Sequence, residues 1–224
     1  MNKHEICSAD DLHRMLREHW RGHFLFRGED SPDYKLRSKY GRFQAQDDRN
    51  SAKREQSLLS EFKRRAAPMI HHVPENEWEW LAIAQHFGLA TRLLDWTENP
   101  LIATYFAVKT KEQDSDRVLY VLDKYQFKGA DFSLSPFDIE EVCVYFPKHI
   151  SPRISSQGGV FTVHPSPSDP LDDNRIERWI IRENCVREIL VTLRSYGLNE
   201  ASVFPDLDGL ARYLNAWYVW GIVM

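Results

Sequence analysis

Two segments of the sequence combine residue types that could bind an anion and act on it. The first is Phe26-Arg27-Gly28, in which an arginine ends an apolar stretch and a glycine follows. A guanidinium group can bind a phosphate or a carboxylate through two parallel hydrogen bonds, and a glycine allows close approach to the backbone. The segment therefore predicts an anion site. The alternative is that Arg27 pairs with an internal carboxylate, for which Asp95 is a candidate.

The second segment, residues 85–100, places His, Arg, Asp, Trp and Thr side chains in an otherwise apolar stretch. Burial of Arg92 and Asp95 would cost on the order of several kcal/mol unless the charges are paired. Trp96 precedes the start of a predicted helix, so its ring could offer a stacking face beside an N-terminus that attracts anions. The alternative is a purely structural Arg92–Asp95 pair that holds this helix in place.

Most common catalytic signatures are absent from the chain. It has no GxGxxG, GxxxxGK[ST], GxSxG or HExxH motif, so the sequence does not predict a Rossmann nucleotide site, a P-loop, a nucleophile elbow or a zinc-protease helix. The three cysteines, Cys7, Cys143 and Cys185, are widely spaced. They form neither a metal-binding pattern nor a disulfide framework, so we expect no metal and a cytoplasmic location.

The distribution of charge points to one basic segment. The 224-residue chain has a net charge of −4, but residues 35–65 contain ten Lys and Arg against four Asp and Glu. Such a segment could contact the phosphates of DNA or RNA, and the alternative is a solvated helix face. No apolar run approaches the ~20 residues of a membrane-spanning helix, so no membrane association is expected.

The hydrophobic pattern predicts the elements that must position these residues. Apolar positions at helical spacing predict helices after Ser8 and over 55–67, 77–87, 100–109, 184–196 and 206–217. β-Branched and aromatic runs predict strands over 23–28, 117–122, 141–146, 159–163 and 178–181, and polar residues predict a loop over 29–50. The predicted class is α+β in a single domain, 1–224, with a helix-rich first half and an antiparallel, strand-rich second half.

The motif residues resemble the FRG domain family, which is named for its Phe-Arg-Gly triplet. The resemblance rests on Phe26-Arg27-Gly28, residues 84–101, Tyr105-Phe106-Ala107, and residues 157–162 and 204–210, so it covers about 20–215. The family occurs in bacteria and their phages, sometimes near defence genes, which implies a role in such conflict. A remoter similarity links Arg27-Gly28 and Asp95-Trp96-Thr97 to ADP-ribosyltransferases, and implies a split sheet and NAD as substrate.

This second similarity assigns roles to residues. Breaking the nicotinamide–ribose bond passes through an oxocarbenium-like state, which needs a cation for the pyrophosphate, an aromatic face and a carboxylate. Arg27 is the expected cation, and the aromatic candidates are Trp96, Phe26 and Phe161. For the catalytic carboxylate Glu200 is favoured and Glu141 comes next, with Glu188 and Asp95 as the other candidates. The remaining predicted NAD contacts are Gly28, Arg92, Asp95 and Thr97.

Three functions therefore stay open at the level of sequence. The favoured one is an NAD-dependent ADP-ribosyltransferase that modifies a nucleic acid or a protein, with segment 35–65 presenting the acceptor. The alternative is a nucleotide- or nucleic-acid-binding module without chemistry. The third is a structural protein that acts through a partner surface, for which the apolar side chains of Trp217, Tyr218, Trp220, Ile222 and Val223 are a candidate. The favoured alternative for these residues is that they close the protein's own core.

Overall fold

The structure, a computed structural model, describes residues 3–44, 51–70, 73–110, 115–148 and 156–219. Within these ranges it has eight strands: β1 (Lys3–Ile6), β2 (Phe24–Glu29), β3 (Leu93–Thr97), β4 (Arg117–Asp123), β5 (Lys128–Gly129), β6 (Cys143–Tyr145), β7 (Gly159–Val163) and β8 (Ile176–Ile181). The helices are α1 (Ala9–Glu18), α2 (Lys39–Gln44), α3 (Ser51–Ala66), α4 (Glu77–His86), α5 (Pro100–Val108), α6 (Val186–Ser195), α7 (Glu200–Val203) and α8 (Leu207–Leu214).

The strands form one mixed sheet in the order β1-β8-β4-β2-β3-β7-β6-β5. This confirms the predicted α+β class. The sheet is not purely antiparallel, because β1 pairs with β8 and β5 with β6 in parallel. It also draws three strands, β1, β2 and β3, from the first half of the chain.

The sheet is weakly joined between β2 and β3. Strand β2 pairs with β4 along its whole length, from Phe24 opposite Asp123 to Glu29 opposite Val118. Its register with β3 consists of one pair, Phe26 opposite Thr97. The end of β2 and the start of β3 are therefore unpaired with each other, and the sheet opens between them.

Three hydrophobic clusters pack against the sheet, and the third joins α3 and α4 to β3, β6 and β7. The first two lie on opposite faces. One face packs against α1, α5 and α6 through residues such as Phe26 and Leu119. The other carries Leu25, Leu94 and Trp96, which alternate with the first set along the strands. Helix α5 lies centrally, as predicted: Asn99 caps it by accepting hydrogen bonds from two amides of its first turn, and Pro100 is its first residue.

One predicted loop contains a helix. Residues 29–50 were expected to be a loop, yet α2 forms within them. The Ser38 hydroxyl accepts a hydrogen bond from the Gly41 amide at 3.1 Å and thereby caps the helix. A glycine inside a helix normally disfavours it. Here the absence of a side chain is required, because a Cβ on Gly41 would lie 1.7 Å from the Pro167 carbonyl oxygen.

A candidate ligand-binding cleft between two strands

A cavity of about 510 Å³ lies where β2 and β3 separate, within the usual size range of small-molecule sites. Helices α2, α4 and α5 complete its walls. Its charged lining consists of the cations Arg27, Lys39, Arg42 and Lys109 and the carboxylates Glu29, Asp30 and Asp95. Its aromatic lining consists of Phe26, Trp96, Phe106 and Phe161. Cations, carboxylates and rings thus share one enclosed space.

Arg27 joins the two strands across this opening. Its Nε and one terminal nitrogen donate to Oε1 of Glu29 at 2.8 and 2.5 Å, and its other terminal nitrogen donates to the Asp95 carbonyl oxygen at 2.7 Å. The internal carboxylate partner is therefore Glu29, whereas Asp95 contributes only its backbone. A guanidinium has five N–H groups, and these bonds use three of them.

The Asp95 carboxylate is exposed to the cleft and held in one orientation. The amide nitrogen of Gln85 donates to Oδ2 of Asp95 at 3.0 Å and to the Leu93 carbonyl at 3.3 Å. The amide oxygen of Gln85 accepts from the hydroxyl of Thr91 at 2.6 Å, and Thr91 is fully buried. Because both neighbours of the Gln85 nitrogen are acceptors, the amide cannot turn over without losing these bonds.

The other predicted cleft residues serve mainly to build the walls. Phe26, Trp96 and Phe161 are nearly fully buried, so each contributes little exposed surface to the cleft. The Thr97 hydroxyl donates to the Gln157 carbonyl at 2.5 Å and accepts from the Asn99 amide at 3.0 Å, which fixes the turn into α5. Gly28 lies directly against α5.

Three predicted site residues lie elsewhere. Arg92, a predicted NAD contact, is fully buried, does not line the cleft and forms an ion pair with Glu55 on α3 at 2.9 Å, so the alternative Arg92–Asp95 pair was wrong. Glu200 lies on α7, 3.7 Å from Arg194, beside a separate cavity of about 280 Å³. Glu141 is exposed and paired with Lys128. The structure therefore does not bring Glu200 or Glu141 into the cleft.

Sequence reasoning assigned no role to several residues of the cleft. The pairing of Glu29 with Arg27 could have been predicted from the sequence, because residues two positions apart on a strand lie on the same face. Gln85 and Thr91 had none, since their six-residue separation spans a helix end and a turn. Lys39 and Arg42 belonged to the basic segment, but their helix was not predicted.

A buried polar network lies behind the cleft wall. The Trp96 indole donates to the Thr162 hydroxyl at 3.0 Å, and that hydroxyl lies 3.1 Å from Nε2 of His164. Burial, together with the charges of Arg92 and Arg27, lowers the pKa of His164 from 6.5 to about 4. An indole nitrogen can only donate. The Thr162 hydroxyl therefore accepts from Trp96, and the tautomer of the neutral His164 decides which of the two groups donates in their hydrogen bond.

This network predicts a component of acid destabilisation. Between about pH 6.5 and 4 the unfolded chain binds a proton at His164 that the folded chain excludes, so stability is complete above 6.5 and falls below it. We expect this component to reach about 3 kcal/mol and to be missing in His164→Gln. Urea unfolding at pH 7, 5.5 and 4.5 would measure it, with His23→Gln as the matched control. Parallel wild-type and His164→Gln curves would contradict the assignment.

Two further classes of site were considered. Within the ranges given above, no group of three His, Cys, Asp or Glu side chains is arranged to hold a metal ion. Over the same residues, every helix is too short or too polar to cross a bilayer.

Comparison with known proteins identifies one family. Residues 22–116 match the model of the FRG domain, which confirms the resemblance to that family. This range contains β2, β3, α5 and all of the charged residues that line the cleft. The motifs at 157–162 and 204–210 lie beyond the matched range. No curated protein and no solved structure matches the chain.

Proposed function

We propose that this FRG-domain protein binds NAD in the cleft between β2 and β3 and transfers its ADP-ribose group to an acceptor. The observation that carries the proposal is the opening of the sheet at Arg27 and Asp95. There, one space of about 510 Å³ holds a fixed carboxylate, a cluster of cations and aromatic walls. These are the groups that cleavage of the nicotinamide–ribose bond requires.

Arg27 and Lys109 would bind the pyrophosphate. Arg27 keeps two N–H groups beyond those used by Glu29 and Asp95, and Lys109, Lys39 and Arg42 line the same cleft. The net charge of the lining favours an anion, because these four cations face three carboxylates. The ring of Phe106 also lines the cleft, with the ammonium group of Lys109 4.6 Å from its centroid, so a base of NAD would stack on its other face.

Asp95 replaces Glu200 and Glu141 as the proposed catalytic carboxylate. Its orientation is fixed by Gln85, and preorganised charge is what stabilises a developing oxocarbenium ion. Glu29 is less suitable, since its charge is already compensated by Arg27. In the reaction the C1′–N bond breaks and its electron pair goes to nicotinamide. The acceptor nucleophile then forms a bond to C1′ and releases its proton to water.

Asp95→Asn tests this assignment. We expect nicotinamide release to fall by about 10²-fold or more, the usual effect of losing one preorganised electrostatic contact, with NAD affinity little changed. The measurement is release of nicotinamide and transfer of label from labelled NAD, with DNA, RNA or protein as acceptor. Glu141→Gln is the matched control, because it removes an exposed carboxylate outside the cleft. Arg27→Ala is less informative, since it also deprives Glu29 of its partner.

The outcomes separate the proposal from its alternative. A wild-type protein that neither releases nicotinamide nor binds NAD saturably would reject the proposal. The second candidate is a non-catalytic nucleotide-binding module, which the pairing of Arg27 with Glu29 favours because part of the cation's capacity is already used. Saturable NAD binding without release, equal in wild type and Asp95→Asn, would establish that alternative.

A further inference from the structure

The basic segment is divided by the fold into two parts with different surroundings. On α3, Arg64 and Arg65 both bond the Glu61 carboxylate, and Lys63 lies 3.6 Å from Glu77. These three cations are therefore held by carboxylates outside the cleft. On α2, Lys39 and Arg42 are solvent-exposed and line the cleft, where Arg42 lies 3.9 Å from Glu29. The cationic part of the segment that reaches the site is therefore α2.

Exposed aromatic rings accompany these two cations. Phe43 lies one helical turn after Lys39, so the two side chains share a face of α2, and 69% of Phe43 is exposed. The ammonium group of Lys39 donates to the carbonyl of Gly88, the residue that follows Phe87, at 2.6 Å. Phe87 is 71% exposed. One exposed ring thus shares the helix face of Lys39, and the other is adjacent in sequence to its hydrogen-bond partner.

This combination distinguishes between classes of acceptor. Cations that follow a backbone, interleaved with exposed rings on which bases stack, are the usual means of binding single-stranded nucleic acid. A duplex fits less well, because its bases are unavailable for stacking and the rest of this acidic chain would repel its dense phosphates. An enzyme that acts on a base must also take that base out of the helix.

From these contacts we infer that the acceptor is single-stranded nucleic acid, which lies along α2 with its phosphates on Lys39 and Arg42 and its bases on Phe43 and Phe87. The role of this nucleic acid as acceptor depends on the proposed transferase function. Its binding to α2 does not depend on that function. This binding surface directs an unstacked nucleotide towards Asp95, because Lys39 and Arg42 line the cleft that contains the Asp95 carboxylate.

The test is binding of fluorescent oligo-dT, oligo-rU and a duplex of the same length, measured by anisotropy without NAD between 50 and 200 mM salt. We expect the single strands to bind more tightly than the duplex. In Lys39→Gln or Arg42→Gln the slope of log affinity against log salt should become shallower by about 0.7. Phe43→Ala should weaken binding roughly tenfold and leave the slope unchanged.

Matched controls exist on the same protein. Arg64→Gln removes an exposed α3 cation that is paired with Glu61, and Trp20→Ala removes an exposed ring that belongs neither to α2 nor to the segment around Gly88; neither should change the affinity or the slope. Melting temperatures would verify that each variant is folded. Tighter binding to duplex, equal slopes in Lys39→Gln and Arg64→Gln, or no binding to either oligonucleotide would overturn the inference.

Transfer of label from NAD separates the two proposals. Nicotinamide release by a protein that binds no oligonucleotide, or label found on protein only, overturns the nucleic-acid acceptor and leaves the transferase. Oligonucleotide binding that depends on Lys39 and Phe43, without nicotinamide release, overturns the transferase and leaves the single-strand surface.

Discussion

Replacement of Glu55 by alanine is expected to lower the free energy of unfolding by about 3–5 kcal/mol, the usual effect of breaking a buried ion pair from one side. The Glu55 and Arg92 side chains are 1% and 0% exposed. Glu55 accepts from both the backbone amide of Arg92, at 2.6 Å, and its Nε, at 3.0 Å. Its removal therefore leaves a guanidinium charge in the core without a counterion.

The loss should extend beyond the pair itself. Another nitrogen of Arg92 donates to the carbonyl oxygens of Pro136 and His164, at 3.0 and 3.4 Å. Arg92 thus ties α3, the start of β3 and the end of β7 together. Because β3 carries Asp95, we expect Glu55→Ala to weaken ligand binding in the cleft as well as the fold.

A double variant tests whether the loss of stability in Glu55→Ala comes from the unpaired charge or from the missing side-chain volume. Burial raises the pKa of Glu55 in spite of Arg92, and the desolvation cost of a buried ion pair generally offsets much of its Coulombic attraction. Glu55→Leu combined with Arg92→Met is therefore expected to be much more stable than Glu55→Ala alone. Urea unfolding measures all of these variants. Glu61→Ala, an exposed position on the same helix, should change little, and an equal loss there would refute the argument.

The partner of Arg92 illustrates which parts of the site can be predicted from the sequence. The rule that a buried arginine must be paired was sound, but the chosen partner was not. Arg92 lies in a bend just before β3, whereas Asp95 is on that strand and lines the cleft. The alternation of side chains along a strand therefore does not decide this pair. The actual partner, Glu55, lies 37 residues away in sequence, and nothing in one sequence marks such a pairing.

Local signals were more reliable than distant ones. Asn99 and Pro100 set the start of α5 because capping depends on adjacent residues only. The predicted positions of Phe26, Arg27, Asp95, Trp96 and Thr97 at one site rested on motifs, and the structure brings these residues to one cleft. The carboxylates Glu200 and Glu141 were selected by their order in the chain, which contains no information about which side of the sheet they occupy.

Substitution of the glycine of the Phe-Arg-Gly triplet is the second change for which we expect a large loss of stability. Gly28→Ala is expected to destabilise the protein by about 3 kcal/mol or more, at the upper end of the cost of overpacking a core. A Cβ at this position would lie 1.9 Å from the Ala103 carbonyl oxygen and 2.8 Å from the Ala107 amide nitrogen. Both atoms belong to the backbone of α5, so no side-chain rotation can relieve the clash. Helix α5 would have to move away from β2.

Gly129→Ala provides the matched control for this substitution. Gly129 also lies on a strand, β5, and a Cβ there would have no neighbour within 4 Å. Unfolding in urea should therefore separate the two variants clearly, and equal stabilities would show that α5 does not press on β2 at Gly28. The comparison also distinguishes two roles for the triplet's glycine. If Gly28 serves helix packing, as its contacts indicate, the variant loses stability with or without ligand. If Gly28 instead serves close approach of a ligand, the variant keeps its stability and loses only affinity for NAD.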